Sequence, residues 1–151
     1  MSIADVERVD DLGVAAWDQR DPAKFTELMA DGAVFRDVSV PEPMTSPEQV
    51  HAYMQTWFTA FPDMRVRRLH RVVSESDVAG ELEFSGTHDG PLASPTGEVP
   101  ATGRRITGHG AYFAEVRDGK IVSFIAYPDA MGMMAQLGLL PGAQQLPERV
   151  G

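Results

Sequence analysis

Apolar positions near the start of the chain recur at helical spacing. Val6, Val9, Gly13, Ala16 and Trp17 fall on one face. Asp21-Pro22 then starts a second helix, with Asp21 as N-cap and Pro22 in the first helical position. Phe25, Leu28 and Met29 give that helix an apolar side, and Asp31-Gly32 stops it. Residues 33–38 alternate as a short strand, and Pro41 to Pro43 form a loop. Ser46 followed by Gln49 is a capping-box pair. The helix it opens carries the cleanest amphipathic stripe of the chain, Val50, Tyr53, Met54, Trp57, Phe58 and Phe61, and Pro62 ends it.

Beyond Pro62 the period shortens to that of strands, predicted near 64–75, 78–88, 104–117 and 120–127. Ser76-Asp77 and Asp118-Gly119 mark tight hairpins. Residues 89–103 read as a long Gly/Pro/Thr-rich connection. A last helix is predicted over about 129–137, with Gly138 as its stop and 141–151 as a loosely held tail. Helices followed by a run of antiparallel strands give an α+β fold, with helices on one side of a curved sheet. Such a sheet wrapped around a long helix leaves a cavity suited to a small apolar ligand.

The bulk numbers narrow the classes of partner. A chain of 151 residues suits one core, expected here over residues 1–140. The formal net charge of −9 disfavours nucleic acid and anionic membranes, which call for clustered Lys and Arg. The absence of cysteine excludes disulfides and thiolate chemistry. The charged N-terminal residues lack the apolar core of a secretory signal, and no apolar run approaches a membrane span, so a cytoplasmic location is the expectation. The four histidines show no metal-ligand spacing, and neither a phosphate-cradling loop nor a nucleophile elbow is present. The expected chemistry uses no metal and no cofactor.

Several short motifs together carry a family resemblance: Phe61-Pro62-Asp63, Gly86-Thr87-His88-Asp89-Gly90, Thr102-Gly103-Arg104, Asp118-Gly119-Lys120-Ile121, and Asp129 followed by Gln136-Leu137-Gly138. In their order and spacing the chain resembles the SnoaL-like polyketide cyclases of the NTF2-like superfamily, over about residues 5–140. The resemblance implies a cone-shaped α+β barrel and a homodimer or an assembly of dimers. It further implies intramolecular aldol ring closure of an aromatic polyketide ester. The aspartate at the start of the last helix, here Asp129, would be the key acid/base. The same superfamily also implies alternatives: isomerisation, epoxide opening, or binding of a small molecule without chemistry.

Each candidate residue has two readings. Asp129 is either a general acid/base whose pKa is raised by an apolar cavity, or an N-cap of the last helix. His88 either stabilises an enolate oxygen or braces the Gly86–Gly90 loop. His109 shares a strand face with Ala111, Phe113 and Glu115, and there it either orients a substrate carbonyl or is a satisfied core histidine. Glu115 and Asp37 are read as rim residues before cavity carboxylates. The expected substrate wall is Trp17, Phe35, Tyr53, Trp57, Phe61, Phe113 and Met133, aromatic surface that suits a flat ligand but also fills a core. Arg65, Arg67, Arg68 and Arg71 form the basic cluster, expected on a solvated strand face or in pairs with acids across a dimer contact.

Overall fold

A computed structural model describes residues 1–94 and 97–140. The chain opens with helix α1 (Ile3–Asp18) and the short α2 (Pro22–Thr26). Strand β1 (Met29–Asp37) and helix α3 (Pro47–Ala60) follow. Next come strands β2 (Arg65–Val73), β3 (Asp77–Thr87), β4 (Leu92–Ser94), β5 (Gly97–Val99), β6 (Arg105–Arg117) and β7 (Lys120–Pro128), and helix α4 (Ala130–Gln136). The predicted caps form. Ser46 and Gln49 complete a capping box at α3, Asp21 caps α2 with Pro22 at its first turn, and Gly138 takes φ +74° just past α4. Asp118 and Gly119 both adopt positive φ (51° and 76°), the conformation a two-residue hairpin needs to match strand twist.

The main sheet runs β1-β7-β6-β3-β2. The expected α+β architecture, a curved and mainly antiparallel sheet with helices packed on it, is present, with two refinements. The sheet is open, with β1 and β2 at its edges, and β1 pairs with β7 in parallel. The connectivity allows the parallel pairing, because α3 and five strands, three of them in the main sheet, intervene before the chain returns beside β1. Strand β1 begins at Met29, earlier than the sequence suggests. Its register with β7 is interrupted between Met29 and Val34, where Gly32 takes φ +76°. Part of the stretch read as a long connection is a small β4–β5 ribbon. The tail at 141–151 lies outside the described residues.

The helices cover one face of the sheet. On β6, Ile106, Gly108, Tyr112, Ala114 and Val116 are buried, whereas Arg105, Thr107, His109, Ala111 and Phe113 face outward. Helix α1 is clamped to this inner face by charge. Asp10, buried on α1, accepts from the Tyr112 hydroxyl at 2.6 Å and from Arg68 and Arg71 at 2.9 and 3.0 Å. Asp11 and Glu7 complete the cluster at 2.8 and 2.7 Å. Arg68 and Arg71 therefore meet acids of the same chain's α1 rather than a solvated face. Arg65 and Arg67 stay exposed, Arg65 paired with Asp18 at 2.8 Å and Arg67 with Glu83 at 3.2 Å. A bulge between Arg68 and His70 changes the parity of β2, which brings both Arg68 and Arg71 inward. Among the described residues, no helix is long and apolar enough to cross a membrane.

Candidate active site

The inner face carries an aromatic stack. Phe35 on β1 and Phe124 on β7 are register partners with ring centroids 4.8 Å apart, and Phe124 stacks on Tyr112 of β6 at 5.3 Å. Opposite this stack, α1 contributes Trp17 and α3 contributes Tyr53 and Trp57, the last two one helical turn apart. The space between is a cavity of about 140 Å³. Met64, Val66, Leu82 and Phe84 extend its apolar wall, and Ala130 and Met133 of α4 close one side. An apolar cavity of about 150 Å³ holds one benzene ring, so this one accepts roughly a single aromatic ring.

Two carboxylates border it. Asp129 lies between the end of β7 and α4, lines the cavity, and is exposed to solvent. Its Oδ1 accepts the Gly132 backbone N–H at 2.9 Å, which makes it the N-cap of α4. Its Oδ2 has no hydrogen bond among the described residues. The acid expected deep in an apolar cavity stands instead at the cavity's solvent edge, because capping holds it where the chain leaves the sheet.

Asp37 is the buried carboxylate, only 2% exposed. It follows Ala33 and Phe35 at strand spacing on the inward side of β1, a parity visible in the sequence but outweighed there by the rim reading. Ser39 donates to Oδ1 through its backbone N–H at 2.8 Å and its hydroxyl at 2.5 Å. The Tyr53 hydroxyl donates to Oδ2. Burial, followed by the adjacent Asp37, pushes the Tyr53 pKa well above the ordinary tyrosine value, so the phenol keeps its proton.

The two expected histidines stand elsewhere. His109 does share a face with Ala111, Phe113 and Glu115, but that face is the outer one. It pairs in register with Glu83, the Nε2–Oε2 distance being 3.6 Å. The flanking Gly108 and Gly110 hold the inward positions, and a Cβ on Gly108 would overlap the Phe84 ring. His88 is fully buried beside the end of α3, away from the cavity wall. Its Nδ1 lies 3.2 Å from the Thr102 backbone N–H and 3.0 Å from the Thr102 hydroxyl, and its ring packs on Phe61. Backbone bonds from Asp89 and Gly90 to the Ala60 carbonyl fasten this loop to α3. The loop-bracing reading of His88 is therefore the one the geometry matches.

Of the expected substrate wall, Trp17, Phe35, Tyr53, Trp57 and Met133 line the cavity. Phe61 is core, stacked on Trp57 and tilted against His88, and Phe113 is on the outer face at 54% exposure. Glu115, also outward, pairs with Arg117. Among the described residues, no three His, Asp or Glu side chains converge as a metal-binding group.

The sequence profile of the SnoaL-like polyketide cyclases matches residues 7–137. No curated protein gives a significant match. Among solved structures, the chain is similar to AclR, a candidate hydroxylase from Streptomyces galilaeus, at 24% identity and TM-score 0.78, covering 93% of this chain and 100% of that one. It is similar to IdmH, a candidate polyketide cyclase from Streptomyces antibioticus, at 26% identity and TM-score 0.72, covering 87% and 97%. A protein from Catenulispora acidiphila with a ketosteroid isomerase-like fold matches at 21% identity and TM-score 0.72, covering 92% and 97%.

Proposed function

The chain belongs to the SnoaL-like polyketide cyclase family, and from that premise we propose that it closes a ring within an aromatic polyketide ester by general acid/base chemistry at Asp129. The observation that carries this reading is the position of that carboxylate, with one oxygen capping α4 and the other unbonded at the edge of an aromatic-walled cavity. One ring of the substrate would lie on the Phe35–Phe124–Tyr112 stack, which leaves its acidic methylene at the edge. Asp129 takes a proton from that carbon, the enolate carbon attacks a carbonyl of the same molecule, and the protonated Asp129 returns the proton to the new alkoxide. No atom is lost in this addition, so product and substrate are isomers. A methylene between two carbonyls is already acidic, and a positioned base contributes about 10²–10⁴-fold.

Asparagine caps helices about as well as aspartate, so Asp129→Asn separates chemistry from folding. Given an aromatic β-keto ester with a second carbonyl in reach, the wild type should form an isomeric cyclised product. The variant should lose turnover by about a hundredfold or more while keeping its circular dichroism. Near-full turnover in the variant would overturn the mechanism.

The exposure and capping role of Asp129 also favour a second reading, a binding protein without chemistry. That reading predicts ligand binding by the wild type with no product from any such ester.

A second copy of the chain is the partner we assign to the outer sheet face. Val72, Ala79, Phe113 and Ile125 stand in one register row across β2, β3, β6 and β7. Val72, Phe113 and the neighbouring Tyr127 are 64%, 54% and 46% exposed, an apolar strip bordered by the charged row Arg67–Glu83–His109. A strip of this kind on an open sheet suits a self-complementary contact.

A further inference from the structure

A carboxylate taken out of water must be hydrogen-bonded, and the way Asp37 meets this demand fixes what it can still do. An ionised carboxylate offers about four acceptor positions. The Ser39 N–H and hydroxyl fill both on Oδ1, and the Tyr53 hydroxyl fills one on Oδ2. One acceptor position on Oδ2 is left. A hydroxyl has a single hydrogen, and those of Ser39 and Tyr53 are both spent on Asp37. Asp37, Ser39 and Tyr53 all line the cavity. Toward a ligand, therefore, these three side chains present acceptors and no hydroxyl donor, within a wall that is otherwise largely aromatic.

We propose that the Asp37–Tyr53–Ser39 cluster is a receptor for a hydrogen-bond donor on an aromatic ligand, a hydroxyl or an ammonium, and that it excludes a carboxylate from that end of the cavity. Resting on the same cavity as the ring-closing reaction, it narrows the substrate to a ring bearing a donor. Asp37 stands in register with Ala126, and Asp129 lies three residues further along the same strand end, about 10 Å of extended chain. A ligand ring bound between them has its donor held at Asp37 and its reacting side turned to Asp129. The cavity thus sets the orientation of an asymmetric ring before any bond changes. The carboxylate also selects against anionic fragments that the aromatic walls alone would accept.

Both tryptophans of the chain, Trp17 and Trp57, line this cavity, so intrinsic fluorescence reads its occupancy. Four single-ring probes separate the terms: benzyl alcohol against its donor-free isomer anisole, and benzylamine against benzoate at raised salt, which screens the net charge. In the wild type each donor should bind more tightly than its counterpart by about tenfold. In Asp37→Asn both ratios should collapse toward one, with circular dichroism confirming the fold. The wild-type ratios stand as a test even if that variant does not fold. Wild-type binding with no donor preference, or a folded Asp37→Asn that keeps the wild-type ratios, would overturn the inference and leave the ring-closing reaction standing. If no probe perturbs the tryptophans at any concentration, the cavity is not the ligand site and both fall.

Discussion

At the scale of single residues, environment separates groups that look alike in sequence. Asp37 and Asp129 border one cavity, yet three donors bury the first and a helix terminus holds the second at the surface. His88 and His109 are both histidines near β6, and one is sealed under a loop while the other sits 53% exposed beside Glu83. Burial lowers the pKa of His88 from its ordinary 6.5, outweighing smaller opposing effects of the Gly90 backbone and Asp89. The sign of the consequence follows from linkage. Below pH 6.5 the unfolded chain takes up a proton that the folded ring resists, so this contribution to stability is intact above 6.5 and is lost as the pH falls below it. Urea titrations between pH 7 and pH 5 should show wild-type stability falling more steeply than that of His88→Gln. Equal slopes would mean that His88 is not held neutral by its surroundings.

At the scale of elements, glycine decides which face of a strand turns inward. A Cβ on Gly80 would overlap the Tyr112 ring, and one on Gly108 would overlap Phe84. These positions are small because large rings from neighbouring strands lie over them. Gly108→Ala should overpack the inner face by about 1–3 kcal/mol, lowering the melting temperature by roughly 3–10 °C. Because Phe84 lines the cavity, the displaced ring should also weaken ligand binding. An unchanged melting temperature would show that the inner face has slack. The same glycines explain where the sequence was legible and where it was not. Helix caps at Ser46, Asp21 and Asp129, the Asp118-Gly119 hairpin and the strand alternation around His109 are local signals, and all were readable from neighbours in the chain. Which side of β6 faces the helices depends on Phe84 and Tyr112 as they pack in three dimensions. Alternation alone thus groups His109 and Phe113 on one face of the strand without placing that face on the outer side of the sheet, where the structure has it. Asp37 had the inward parity of Phe35, but its acceptability inside depended on donors from Ser39 and from Tyr53 on a different element.

At the scale of the whole molecule, the helices among the described residues cover one side of an open sheet and not the other. The charge clamp from α1 to Arg68, Arg71 and Tyr112 holds the covered side shut. The other side carries the Val72–Ala79–Phe113–Ile125 row. Sedimentation velocity should find the wild type near twice the chain mass of 16.5 kDa, and Phe113→Glu shifted toward 16.5 kDa. A wild type that sediments as a monomer would leave this face without the assigned partner.

The central claim is that Asp129 moves a proton at a carbon held over the cavity edge. Methyl benzoylacetate has one ring for the cavity and one acidic methylene for the edge, and proton NMR in deuterated water follows loss of the methylene signal. Wild-type protein should accelerate this exchange over buffer, and Asp129→Asn should return it to the buffer rate with the fold unchanged. Equal acceleration by both proteins, or none by the wild type while the ester occupies the cavity, would contradict the account.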